Sequence, residues 1–313
     1  MTGDFRQTLP VIPKGTRADE LYSSIKASYL WKHVKTFRLK KNVRVEMSGD
    51  PDASSFEEVL MRIGNGTLTK TGIVEVPPQV TVNSKNELID AIFEDLAVNY
   101  NTPGWLSKRA ILAPKNLTVD TLNEDLLNKI PGDKKTYHSK DFPIIAVDST
   151  KYPTEVLNQM NFPGVPPHRL VLKKGAPIII MRNIDPPILV NGTRLVVKEM
   201  GEHKIEATIL VGDHAGEDVF IPRIPFIPRN VGIEMKRTQF PIRLSFSMSI
   251  NKAQGQTLQK VGLYLEEPCF SHGQFYVGCS RVGTEKNLKI LCPKNTTRNV
   301  VYQEALGELL PAR

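Results

Sequence analysis

Residues 247–281 read SMSINKAQGQTLQKVGLYLEEPCFSHGQFYVGCSR, and the order of residue types in this stretch decides the fold. An apolar run ends at Phe246. A polar turn follows that holds Lys252, Gln254, Gly255, Gln256 and Thr257. A second β-like run, Val261 to Leu265, comes next, and a helix is expected from about Ser271, ending in Ser280 and Arg281. Strand, polar turn, short helix, strand, helix is the grammar of a parallel α/β domain that handles nucleotides. A Lys and a Gly at a strand-to-helix turn suit a phosphate. The Gly lets backbone N–H groups approach, the helix N-terminus is partly positive, and the Lys adds a full charge.

Composition bounds the reading. The 313 residues are 40% hydrophobic and 24% charged, enough for one large domain or two smaller ones. The net charge of +8 suits a polyanion partner. Cys269, Cys279 and Cys292 lack the CxxC spacing of a zinc site and cannot all pair internally. They read as small buried residues of a reducing compartment. No run is long and apolar enough to span a bilayer, and no apolar signal core stands at the N-terminus.

The segments SINKAQGQT and QFYVGCSRV resemble the fifth and sixth motifs of superfamily 1 DNA helicases of the petite-integration-frequency (Pif) type, including those carried by Helitron-like rolling-circle transposons. GDFRQTLPVIPKGTR at residues 3–17 resembles the third motif, and LKKNVRV at 39–45 the fourth. ILAPKNLTVDTLN at 111–123 and LKKGAPIIIMRN…NGTRL at 172–195 also follow the family pattern. Ordered matches are far more specific than any one of them. The resemblance implies a RecA-like parallel-sheet domain with an inserted small antiparallel β-barrel. The expected division is residues 1–35 as a remnant of a first RecA-like domain and a linker helix, 36–193 as the first part of the second RecA-like domain, 194–241 as the barrel, and 242–313 as the last part. No GxxxxGK[ST] loop and no Asp-Glu pair after an apolar strand occurs in the chain. The first RecA-like domain is therefore expected to be nearly absent.

The same resemblance assigns roles. Gln7 would sense the ATP γ-phosphate. Arg44, in a dense basic set with Arg38, Lys40 and Lys41, would lie on the phosphates, where a planar, always-charged fork serves well. Arg281 resembles an arginine finger acting in cis on the transferred phosphoryl group. Asn251 and Lys252 would contact single-stranded DNA, and Gln254, Gly255 and Thr257 would link that strand to the nucleotide cleft. Asn251 stands where the family usually has His, keeping a donor and an acceptor but losing a stacking ring. Gly278 and Cys279 depart from the family's Ala-Leu. Asn116, with Lys115 beside it, is the candidate for the nucleic-acid backbone at a strand–helix turn; an ordinary helix start is the alternative.

Elsewhere the pattern predicts a helix over 18–35 with Leu21, Ile25 and Tyr29 on one side, a helix with Phe56, Val59, Leu60 and Ile63 at helical spacing, and a helix capped by Ser84 and Glu87. Short β runs fill 194–239, where Lys198, Lys204, Arg223, Arg229, Lys236 and Arg237 are candidates to line a strand path. Residues 1–17, without a supporting sheet, are expected to be a disordered stub. The cofactors implied are ATP and Mg²⁺ in the complete protein, with no metal ligands in this chain. The implied partners are single-stranded DNA, DNA forks and a missing N-terminal RecA-like half, with no membrane. The role would be DNA repair, recombination, telomere maintenance or transposition in the nucleus. A non-catalytic strand-binding module and an inert transposon remnant remain the alternatives.

Overall fold

The computed structural model describes residues 2–12, 15–37, 39, 53–144, 152–228 and 233–307. Arg44, with Arg38, Lys40 and Lys41, lies outside the described residues, as does Arg229. The chain divides into two compact units, one built from residues 1–94, 109–119 and 248–313 and the other from 95–108 and 120–247. In chain order the strands are β1 (Ile73–Glu75), β2 (Thr81–Val82), β3 (Arg109–Ala113), β4 (Lys135–His138), β5 (Lys140–Pro143), β6 (Arg169–Leu172), β7 (Pro177–Ile180), β8 (Arg194–Met200) and β9 (Lys204–Ile209). There follow β10 (Asp218–Pro222), β11 (Ile224–Phe226), β12 (Met235–Gln239), β13 (Ile242–Leu244), β14 (Ser247–Ser249), β15 (Lys260–Tyr264), β16 (Leu288–Leu291) and β17 (Thr296–Arg298).

The first unit holds a five-stranded sheet in the order β14-β3-β15-β16-β2. β3, β15, β16 and β2 run parallel. Every residue of β3 is buried, as a strand covered on both faces requires. The helix Lys85–Ile92 packs on β15 so closely that a Cβ on Gly262 would come within 2.9 Å of Ile92 and 3.0 Å of Leu88. Ser84 caps that helix, accepting from the Glu87 amide at 3.1 Å. Glu87 answers to the Asn83 amide at 2.8 Å, one residue before the cap. The helix Ala53–Asn65 buries Phe56 and Ile63, whereas Val59 is exposed. It ends before Gly66 at φ 69°.

The helix predicted over 18–35 is shorter. It covers Arg17–Tyr22 and is followed by single 3₁₀ turns at Ile25–Ala27 and Trp31–His33. Ser24 and Ser28 adopt extended backbone and break it. Of the three apolar residues assigned to its face, Leu21 is buried, and Ile25 and Tyr29 are exposed.

The second unit is antiparallel. Its main sheet has the order β10-β9-β8-β7-β13, and it also contains β11-β12-β5 and the pair β4-β6. β9 alternates buried with less buried residues, the period-2 signature of a sheet with one covered face. Among the described residues, the five-stranded ladder ends at β10 and β13 without a pairing between them. The unit takes in far more than 194–241. β4 pairs with β6, β5 with β12, and β7 with β8 and β13, contacts between distant segments that a linear scan does not expose.

Arg237 corrects the expectation of a basic path. It is fully buried in the second unit, with Nε and Nη2 on the Asp141 carboxylate at 2.7–3.1 Å. Its remaining donors take the carbonyls of Leu157, Met160 and Pro166. An interior guanidinium so engaged cannot line a strand path. Lys198 is tied to Asp218 and Glu206.

Candidate functional site

The polar turn of residues 250–257 is positioned from beneath. β14 is buried throughout, and the 3₁₀ turn Ile250–Ala253 is anchored by Ile250 and Ala253, both fully buried. That anchoring leaves Asn251 half-buried and Lys252 exposed. The Gln256 amide donates to the Ala253 carbonyl at 3.1 Å and closes a tight turn. Gln254 has φ −58° and ψ 132°, and Gly255 has φ 83°. This is the type II arrangement, whose third position needs a left-handed residue. Gln254, Gly255 and Thr257 are all exposed.

The helix Gln274–Cys279 supports this turn from the side. Gln274 is 1% exposed; its Oε1 accepts from the Phe270 and Ser271 amides at 3.0 and 3.3 Å. Its Nε2 donates to Asn251 Oδ1 at 3.1 Å. Arg281, at the helix end, is 3% exposed and turned inward. Its Nη1 donates to the carbonyls of Ala253 at 3.3 Å and Gln256 at 2.9 Å. Its Nε donates to the Val277 carbonyl at 2.8 Å and its Nη2 to Ser280 Oγ at 2.7 Å. The guanidinium therefore holds the turn that carries Lys252 and Gly255. Gly278 sits under Leu263, whose Cδ2 would lie 2.9 Å from an added Cβ, so the departure from Ala there matches a close approach to β15.

Residues 2–12 are not a stub. The Asp4 carboxylate accepts from Tyr276 Oη at 3.1 Å, and the Phe5 carbonyl lies 2.8 Å from His272 Nε2. Thr8 Oγ1 donates to Gln254 Oε1 at 2.9 Å. Gly273, at φ 72°, lets the backbone of Arg6 and Gln7 come so close that a Cβ would lie 2.3 Å from the Arg6 carbonyl. The half-buried Gln7 is thus held beside the turn of residues 250–257. The edge of the helix and its preceding loop replace the sheet that sequence reasoning considered necessary. His272 went unread in the sequence. It is fully buried, and Nδ1 accepts from the Tyr302 amide at 2.9 Å while Nε2 faces Phe5, which makes it a neutral ring with N–H at Nε2. Its one sequence signal is the SHG triplet, a His before a left-handed Gly.

Asn116 is exposed and opens the helix Asn116–Lys129; it is not the residue before it. Lys115, also exposed, pairs with Glu267 at 2.9 Å. Burial pushes the Tyr276 hydroxyl up to about 12, with Asp4 adding to the effect. Burial also raises the Cys269 thiol to about 12 and the Cys279 thiol further, so these sulfurs stay protonated and unreactive. All three cysteines are free and buried. Among the described residues no group of three or more His, Cys, Asp or Glu is arranged to hold a metal ion. No described helix is long and apolar enough to cross a membrane.

The unit is thus an α/β fold on a parallel sheet, whose edge turn carries Lys, Gly and Gln and is locked to a helix ending in Ser-Arg. Two family models match, the PIF1-like helicase over residues 1–72 and the DNA helicase Pif1 2B domain over residues 155–200. The ATP-dependent DNA helicase PIF1 of Xenopus laevis is 29% identical over 174 residues, covering 55% of this chain and 26% of that protein. Over these matched segments the chain is similar to the Pif1-like helicases. It spans about a quarter of that relative's length. The crystal structure of Pif1 helicase from Candida albicans shares the fold, with TM-score 0.64 and 24% identity over 97% of this chain and 66% of that one. Pif1 helicase from Bacteroides, in complex with ADP-AlF3 and ssDNA, aligns with TM-score 0.63 and 20% identity, covering 97% and 64%.

Proposed function

We propose that this chain is the part of an ATP-dependent DNA helicase that grips single-stranded DNA and answers to the nucleotide. The observation that carries the reading is the contact of Arg281 with the carbonyls of Ala253 and Gln256. On this reading, the arginine that senses phosphate and the turn that holds the strand share one hydrogen-bond network. Lys252, with Asn251, Gln254 and Thr257, holds the strand, and Asn116 and Lys115 add backbone contacts. Gln7 and Arg281, with Arg44, face the phosphates of ATP, whose hydrolysis supplies the free energy for translocation. Both N–H groups of Nη1 are taken by the two carbonyls, so a phosphate oxygen bound at Nη1 displaces one of them. Nucleotide occupancy therefore changes how firmly the turn is held, which is a two-state link between the sites.

The antiparallel unit takes the place of the inserted barrel. The phosphate loop and the magnesium ligands belong to a further RecA-like domain, and the 313 residues by themselves hydrolyse little ATP. A likeness to helicases of Helitron-like transposons rests on SINKAQGQT and QFYVGCSRV and carries the transposition role and a nuclear location. Support from relatives is that the Bacteroides protein was crystallised with ssDNA. Fluorescence anisotropy on a labelled single-stranded oligonucleotide tests the reading. Binding should weaken steeply with salt, and Lys252→Ala should lower the log–log salt slope by about 0.7, one phosphate contact. An unchanged slope removes Lys252 from the interface, and absence of binding removes the reading.

A further inference from the structure

We infer that Gln274 sets the polarity of Asn251, so that Asn251 offers its NH₂ group to the nucleic acid and reads an acceptor there. This rests on the strand-binding role proposed for the turn. The chain of constraints starts at two backbone amides. The N–H groups of Phe270 and Ser271 both point at one oxygen of Gln274, at 3.0 and 3.3 Å. Those donors fix which end of the buried Gln274 amide is oxygen. Its NH₂ must then face Asn251, and at 3.1 Å it requires an acceptor. Asn251 therefore turns Oδ1 inward. Its Nδ2, on a half-buried residue beside the exposed Lys252, is left facing outward.

The consequence is chemical. Next to the Lys252 ammonium, an outward NH₂ favours a phosphate oxygen or the keto oxygen of a base, and opposes a base amino group. It also accounts for Asn at a position where the resembled helicases have His. A neutral imidazole can accept from Gln274 with one nitrogen and donate outward with the other, so Asn and His present the same pattern. Gln274 acts here as a positioning residue, through Asn251.

The test is binding of a labelled single-stranded oligonucleotide by the 313-residue chain at pH 7, with Lys252→Ala as the control for the interface itself. Gln274→Glu keeps an acceptor for both backbone amides but cannot donate to Asn251. The Asn251 amide then reverses, and binding should fall about tenfold, the loss of one well-made hydrogen bond. Asn251→Asp still accepts from Gln274 but turns an anionic oxygen outward, and should weaken binding at least as much. Asn251→His should stay within about threefold of the unaltered chain. Combining Asn251→His with Gln274→Glu should restore binding, because an imidazolium donates in both directions. A purely structural role for Gln274 predicts no such rescue. The inference is overturned if Gln274→Glu binds as well as the unaltered chain while Lys252→Ala does not, or if Gln274→Glu weakens binding equally with Asn or His at 251. If neither the unaltered chain nor any variant binds, the strand-binding reading falls and takes this inference with it.

Discussion

Replacing Arg281 by Ala tests how the turn is held. The side chain makes four hydrogen bonds, two of them to the turn carbonyls of Ala253 and Gln256. A hydrogen bond from a charged donor contributes about 1.5 kcal/mol net, so the two turn contacts alone amount to about 3 kcal/mol. The Ala253 carbonyl keeps the Gln256 amide as a partner, so water has to satisfy chiefly the Gln256 carbonyl. The assay is urea unfolding followed by tryptophan fluorescence. The chain has two tryptophans, Trp31 in the first unit and Trp105 in the second. A Trp105→Phe background confines the signal to the unit that holds Arg281. Arg281→Ala should lower the stability of that unit by about 3 kcal/mol, and Arg281→Lys should recover roughly a third, since one ammonium cannot serve all four acceptors. A change within about 1 kcal/mol for Arg281→Ala would refute the reasoning, because the contacts would then contribute no more than a surface residue.

His272 predicts a pH dependence. Burial, the main cause, holds its pKa below the ordinary histidine value, against the opposing pull of the Phe5 carbonyl. The unfolded chain then binds the proton more readily. The stabilisation is complete above about pH 6.5 and is lost as the pH falls from there towards the lowered folded value. His272→Gln should flatten that slope of stability between pH 7 and 5; an unchanged slope assigns it to other groups. Asp141→Asn leaves Arg237 buried without its anion and should cost about 3–5 kcal/mol in the Trp105 transition, most of it recovered when Arg237→Met and Asp141→Leu are combined. Gly273→Ala places a Cβ against the Arg6 carbonyl in a left-handed backbone. Faster amide exchange should appear at residues 4–8, and unchanged exchange would show that the close approach is not needed.

Much of the parallel unit was legible from residues 247–281, because a covered strand, a Gly turn and a short helix each leave local marks. The strands around Leu112, Leu263 and Ile290 and the helices Ala53–Asn65 and Asn116–Lys129 appear where the apolar spacing put them. What was not legible depends on long-range partners. Arg237 and Lys198 look alike in sequence, yet one is interior because Asp141 lies opposite it and the other is tied up at the surface. The extent of the antiparallel unit follows from pairings between β5 and β12 and between β7 and β13, which no local period encodes. The ordering of residues 4–8 hinges on a left-handed Gly and a buried His more than 260 residues away. The inward turn of Arg281 is a choice between partners, which composition cannot rank.

The interleaving of the parallel unit has a consequence for biosynthesis. β3 ends at Ala113, but its neighbour β15 begins only at Lys260. At roughly 5–20 residues per second, a ribosome needs about 7–30 s to make the roughly 150 residues between them. During that interval a strand that is buried throughout in the folded unit waits without its partner, while β4 to β13 find all their mates among themselves. The order of assembly follows from the connectivity: the later-starting unit closes first, and the turn of residues 250–257, β15 and β16 are made only afterwards. A message cut short between β13 and β15 would yield a folded antiparallel piece beside an unpaired β3, a natural target for chaperones and proteases.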